Sequence, residues 1–347
     1  MPFDEKEFDL LSDIESLRSE PRGFAPEQMV TCEVCLRANS PTRTSCLYCA
    51  AQLPTTQINA TLQKPTLRKL EQWERGFNII FRPGKAVELT QESLGEIGGL
   101  LRLKPEELKR IVEAGEPLPL ARAATREEAS LVERHLAEMG VSVLVVADSD
   151  LLSDDSMPKR VRAFEFTEDE IVASAAGSSE TWRASWNEIA LLVAGRLLVR
   201  QIEVEEHQGR KAEREMVDAR EMSTDESVLD IYCTQNSGGW RITAGKFDFS
   251  CLGQHKGLIA AQNFSTLIKI LRERAGTSLY DDAYYRVRHA LGIVWPLEQQ
   301  TEARGWRRAR VGRVNTEAVT KSDNEQQFTR YSRLRYYLKV HHPESST

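Results

Sequence analysis

Four cysteines in the pattern Cys32-x2-Cys35-x10-Cys46-x2-Cys49 constrain this chain more than any other feature. Each C-x-x-C pair lets one tight turn bring two thiolates close together, and two such turns complete a tetrahedral S4 shell around one ion. Four thiolates close the shell, leaving no position for a substrate water, so the implied role is structural. Ligand softness favours zinc, although iron in a rubredoxin-like shell would use similar geometry. A module this short has too little core to fold alone, so metal binding must supply its folding free energy. The other two cysteines, Cys233 and Cys251, stand alone in β-prone text. That usage suits a reducing compartment and a metal site better than a disulfide framework.

The rest of the chain divides by composition. At 347 residues it suits several small domains, and 41% apolar with 28% charged residues is ordinary for folded protein. The formal charge of −6 argues against a general nucleic-acid binder, but it is uneven. Residues 284–339 hold 12 Arg/Lys against 5 Asp/Glu, a local +7, which leaves −13 for the remainder. The start, MPFDEKEFDL, lacks the basic and apolar regions of a signal peptide, and no 18-residue apolar run occurs. A cytoplasmic location is the resulting expectation.

Residues 1–28 are acidic, and FDLLSDIESL has the pattern of a short amphipathic helix. Residues 29–54 hold the cysteines. Residues 55–76 read as a polar linker followed by a short helix at LRKLEQWERG. Residues 77–148 read as a compact α+β unit in the order strand, helix, helix, strand, helix, strand. Its third helix opens on the capping box Thr125-x-x-Glu128 and stops at Gly140. Residues 160–276 turn to short β runs, the last of them FDFSCL, followed by the helix NFSTLIKILRERAG. The intervening HQGRKAEREMVDAREMSTDES is so charged that a solvated loop is expected. Residues 277–347 form a basic C-terminal extension in which YYRVRHALGIVW suits a helix and FTRYSRLRYYLKV suits either a strand or a helix.

Three segments resemble known families. TCEVCLRANSPTRTSCLYCAAQL, with C-x2-C-x3-N-x6-C-x2-C and Asn39 at its centre, resembles short bacterial zinc ribbons whose linker reads Asn-Pro, here Asn39-Ser40-Pro41. It is also similar to Ran-binding-type zinc fingers. Those fingers carry a Trp two residues before the first cysteine, where this chain has Val30. Their RNA-binding members use an aromatic residue after the Asn and paired arginines, where this chain has Ser40 and Arg43 alone. Their ubiquitin-binding members use Thr-Phe after the second cysteine, where this chain has Leu36-Arg37. Neither activity carries over.

The text LLRLKPEELKRIVEAGE followed by TREEASLVERHLAEMGVSVLVV resembles the C-terminal domain of the bacterial ribosomal stalk protein, and more loosely the Clp adaptor fold. The resemblance implies a protein-docking domain. The stalk family's basic stripe is replaced by Glu92 and Glu96. SWNEI, FDFSCL and NFSTLIKIL resemble elements of a pleckstrin-homology-like barrel with its capping helix. Arg160, Arg162 and Arg183 lie among acids, so a lipid headgroup site is not expected. The fold class implied is multidomain α+β: a small zinc ribbon, a stalk-C-terminal-like domain and a pleckstrin-homology-like barrel.

No catalytic constellation is visible. Cys251 and His255 lie four residues apart without an orienting acid, and His135, His289 and the His341-His342 pair read as surface or packing residues. Gly245-Lys246 lacks the rest of a phosphate loop. The second functional candidate is the basic aromatic tail: Trp306, Arg307, Arg308 and Arg310, then Arg330, Arg333 and Arg335. Such mixing of cations with stacking surfaces suits single-stranded nucleic acid, and equally suits docking on the chain's own acidic body. The sequence therefore points to a non-enzymatic adaptor holding one structural zinc, with an unidentified protein as partner and no small-molecule substrate. The alternative is a nucleic-acid-associated regulator using Arg43 and the tail.

Overall fold

The computed structural model describes residues 24–43, 45–54, 67–84, 89–153, 157–175, 177, 179–208, 214–234, 236–276, 278–310 and 313–342. They belong to two compact units, Met1–Thr66 and Leu67–Thr347. The acidic helix expected near residue 10 and most of the expected linker lie outside the described residues.

The first unit is a small module around the cysteines. Strands β1 (Val30–Thr31) and β2 (Ala38–Asn39) pair antiparallel. Its apolar core comprises Val30 and Leu53 packed with Cys32 and Cys46.

The second unit contains both helices and sheets. Its first part is a three-stranded antiparallel sheet of β3 (Phe77–Phe81), β4 (Pro119–Ala123) and β5 (Val143–Ala147), with β3 central. Helices α1 (Gln91–Leu101) and α2 (Pro105–Glu113) join β3 to β4, and α3 (Arg126–Glu138) joins β4 to β5, the order expected. Thr125 caps α3 by accepting from the Glu128 N–H. LRKLEQWERG forms no helix. Arg122 donates to the carbonyls of Glu71 and Glu74, which a helix would have used internally. The short α4 (Asp148–Leu151) follows β5.

A nine-stranded sheet follows. Strands β6 (Lys159–Phe166), β7 (Glu170–Ala175), β8 (Thr181–Ser185), β9 (Ile189–Gln208), β10 (Arg214–Cys233) and β11 (Asn236–Thr243) are joined by β12 (Leu279–Asp281), β13 (Glu298–Arg310) and β14 (Arg313–Asp323). The order is β13-β14-β9-β10-β11-β6-β7-β8, with β12 parallel to the start of β9. The part from β6 to β11 is a curled half-barrel. Its core gathers Phe164, Leu192, Ile231, Trp240 and Ile242 against Phe264, Leu267 and Leu271 of α5 (Ala260–Arg274). FDFSCL, expected as the last β run, is not a full strand. It makes one bridge, Asp248 to Ala163, and turns into a 3-10 helix, Phe249–His255.

The charged stretch expected as a solvated loop belongs largely to β9 and β10. From Arg214 onward it runs along β10 beside β9, and β14 lines the other side of β9 from Val199 to His207. Opposite charges meet across the ladder: Arg200 binds Glu221 at 2.6 and 2.9 Å, and Arg196 binds Asp225 at 2.8 Å.

The C-terminal residues are not an extension. The hairpin β13–β14 adds to β9, while α6 (Tyr284–Val294) and α7 (Glu325–His341) enter the core of the α+β sheet. Phe328, Tyr331 and Leu334 of α7 are fully buried. Gly195 in β9 allows this approach, because a Cβ there would sit 2.4 Å from the Phe328 ring. The three-stranded sheet is thus not a separate bead. Trp295 donates to Asn78 at 2.9 Å, Asn78 donates to Asp148 at 3.0 Å, and Asp148 accepts from Arg122 at 2.6 Å.

Candidate metal centre

The two C-x-x-C turns are built alike. In the first, Cys32 N–H donates to Arg37 O at 3.0 Å and Leu36 N–H donates to Cys32 O at 2.8 Å. In the second, Cys46 N–H donates to Ala51 O at 2.7 Å and Ala50 N–H donates to Cys46 O at 3.0 Å. Leu36 and Ala50 both take φ of 58°, reversing the chain just after the second cysteine of each turn. The strands on either side of each turn also pair, Thr31 with Ala38 and Ser45 with Gln52.

Asn39 fastens the turns together. It is 3% exposed, its Nδ2 donates to Arg37 O at 2.9 Å and to Cys46 Sγ at 3.4 Å, and its Oδ1 accepts from Leu47 N–H at 2.8 Å. The sequence placed Asn39 in the pattern. Its role as the link between the turns required the structure.

The ligand atoms of Cys32, Cys35, Cys46 and Cys49 all lie within 4.8 Å of one another. Cys32 Sγ is 3.6 Å from Cys49 Sγ, and Cys35 Sγ is 3.5 Å from Cys46 Sγ. A tetrahedral zinc with Zn–S of about 2.3 Å has sulfur–sulfur edges of about 3.8 Å, so the four thiols fit one ion with little movement. The thiols differ electrostatically. Burial raises the Cys46 pKa, but N–H groups of Tyr48 and Cys49, the Asn39 amide and the Cys35 thiol together bring it down to about 6. The Ala51 N–H lowers the Cys49 value, but burial and the thiols of Cys35, Cys32 and Cys46 push it up to about 12. A dication at the centre would favour the thiolate form of all four. Among the described residues no other group of three or more His, Cys, Asp or Glu could hold a metal.

The remaining candidates separate clearly. Arg43 lies between the turns, its Nε donating to Ser45 O at 3.2 Å. Trp306, Arg307, Arg308 and Arg310 lie on β13, and their side chains fall outside the described residues. Arg330 and Arg333 are 4% and 7% exposed, so neither presents its side chain to a nucleic acid or to a second protein. They are enclosed because α7 is packed on nearly every side. Arg333 donates to Asp150 O at 3.3 Å and lies near the Tyr232 and Tyr336 rings. Arg335 binds Glu116 at 3.1 Å and also pairs with Asp281. These contacts of Arg333 and Arg335 are made within the chain. Burial pushes the Cys251 thiol up to about 11, and His255 is exposed. His135 Nδ1 bonds the Leu131 carbonyl on its own helix at 2.9 Å.

No helix among the described residues is long and apolar enough to cross a membrane. Compared with known proteins, the chain matches no family model, no curated protein and no solved structure.

Proposed function

We propose that this chain is a non-enzymatic adaptor or scaffold of the bacterial cytosol, in which one zinc ion holds Cys32, Cys35, Cys46 and Cys49 and thereby folds a small protein-binding module. The observation that carries the reading is the convergence of four thiols at metal-ligand spacing in a module whose buried apolar core, among the described residues, is Val30 and Leu53 with two of the cysteines. All four ligand positions are protein, so the ion supplies folding free energy rather than chemistry. The α+β sheet and the curled sheet with its helix are then docking platforms, of the kind that the stalk-like and pleckstrin-homology-like resemblances suggest. The test is metal analysis of the purified full chain and of Cys46→Ser. One zinc per chain, lost in the variant while the melting of Leu67–Thr347 is retained, supports the reading. Stoichiometric zinc in the variant, or an iron–thiolate absorption band in the parent, overturns it.

The nucleic-acid reading keeps one foothold. The β13–β14 register brings Arg308 beside Val314 and Arg310 beside Arg313, gathering cationic positions at one end of the hairpin. Phosphate binding there would weaken steeply with salt. Retention on nucleic acid that does not change with salt removes this reading.

A further inference from the structure

Among the described residues of the metal module, more large apolar side chains point outward than inward. Val30 and Leu53 join its core, whereas Val34, Leu36, Leu47 and Tyr48 are 73, 76, 64 and 55% exposed. All four sit inside or directly after a C-x-x-C turn. Turns of this kind direct backbone N–H groups toward sulfur, as Tyr48 N–H does toward Cys46 Sγ at 3.4 Å, and leave the side chains outside. Asn39 ties the two turns together, and the Arg37 guanidinium lies 4.6 Å from the centre of the Tyr48 ring. The Arg37–Tyr48 contact brings the end of the first turn beside the outward face of the second, with a cation between them. A patch of this kind on so small a module marks an interaction surface.

We propose that the patch is a docking surface whose occupant is the chain's own acidic N-terminal segment, residues 8–17; the inference rests on the metal-module reading above. Leu10, Leu11, Ile14 and Leu17 recur at i, i+1, i+4 and i+7, which gathers them on one face of a helix. Residues 1–20 hold seven Asp/Glu against Lys6 and Arg18, opposite in sign to Arg37 at the patch margin and Arg43 between the turns. Residues 18–29 connect the segment to β1, and twelve residues reach up to roughly 40 Å when extended. The connection makes the encounter intramolecular, so a weak contact suffices to keep the surface covered. A second protein would then gain the patch by offering its own acidic amphipathic helix in competition.

Hydrogen exchange of the full chain tests this, with zinc measured on the same samples. Three chains are compared: the parent, a surface variant (Leu36→Asp with Leu47→Asp) and a segment variant (Leu10→Asp with Ile14→Asp). The expected result is that residues 8–17 exchange about tenfold or more slowly in the parent than in either variant. The turn residues 33–37 and 46–49 should in turn lose protection in the segment variant, with one zinc per chain in all three. Should the surface variant fail to bind zinc, the segment variant, which leaves the module untouched, decides. Equal exchange of residues 8–17 in the parent and the segment variant overturns the docking while leaving the metal reading intact. Parent chain lacking zinc overturns the metal reading itself. Protection that grows with chain concentration assigns the patch to the segment of a second copy and overturns the intramolecular form.

Discussion

Asp148 offers the sharpest test of how the larger unit is held together. Its carboxylate is 2% exposed and accepts from three donors: Gly76 N–H at 2.9 Å and Arg122 at 2.6 Å on Oδ2, and Asn78 Nδ2 at 3.0 Å on Oδ1. The substitution Asp148→Asn is nearly isosteric, but whichever oxygen became the amide nitrogen would meet a donor instead of an acceptor. The Arg122 guanidinium, whose side chain is 7% exposed, would also lose its counter-charge. Removing one partner of such a buried pair costs roughly 3–5 kcal/mol. For a unit this large, at roughly 2 °C per kcal/mol, Asp148→Asn should lower the melting temperature by roughly 6–10 °C. The assay is thermal denaturation by circular dichroism, paired with urea titration at constant m. The double variant Arg122→Met with Asp148→Leu removes both charges and should recover most of the loss, since apolar replacement of a whole buried pair is often neutral. An Asp148→Asn loss below about 1 kcal/mol would refute the reasoning, because it would mean the guanidinium is solvated in a way this geometry excludes.

Three further outcomes follow from the same structure. Gly195→Ala should destabilise the larger unit by roughly 1–3 kcal/mol in urea unfolding, with partial rescue by Phe328→Leu, since the new methyl meets the Phe328 ring. Asn39→Ala should weaken zinc binding by roughly 10–100-fold in competition with a chromophoric chelator, because the side chain that donates to Cys46 Sγ and joins the two turns is gone. The Arg68 guanidinium holds the Glu74 carboxyl down at about 2. A depressed carboxylate contributes stability above its unfolded value, and that contribution is lost as pH falls through the folded one. Glu74→Gln should therefore flatten the acid limb of the stability profile between pH of about 4.5 and 2, and an unchanged limb would count against the pair.

The sequence announced some of this and concealed the rest for definable reasons. The cysteine spacing was legible because metal geometry acts over few residues, and Thr125 with Gly140 marked α3 because caps are local. Strands β9 and β10 were hidden beyond their apolar halves, because their charged halves are held by cross-strand pairs such as Arg200–Glu221. Nothing nearby in sequence reveals such partners. Helix α7 was ambiguous because it is enclosed on nearly every side, burying Arg330 and Arg333 as well as Phe328, so no clean apolar stripe shows. The outward-facing Val34, Leu36, Leu47 and Tyr48 could not be separated from core residues by composition alone. Their exposure follows from how the turns present sulfur.

Buried charge recurs where α7 and the seam meet their neighbours, and this bears on how the larger unit fixes its helices. Arg241 holds Asp230 by two bonds of 2.7 Å directly across β10 and β11, and donates to Thr329 of α7 at 2.9 Å. Asp281, at the end of β12, accepts from Tyr331 at 2.9 Å and pairs with Arg335. Arg122 and Asp148 stand on the seam to Trp295. Such pairs contribute little net stability compared with apolar replacements, but a misplaced partner is costly. Apolar contacts alone would tolerate α7 displaced by a turn. Thr329, Tyr331 and Arg335 would not, because each would leave its buried acceptor or donor unmet. We read these contacts as fixing one arrangement of α7 against both sheets.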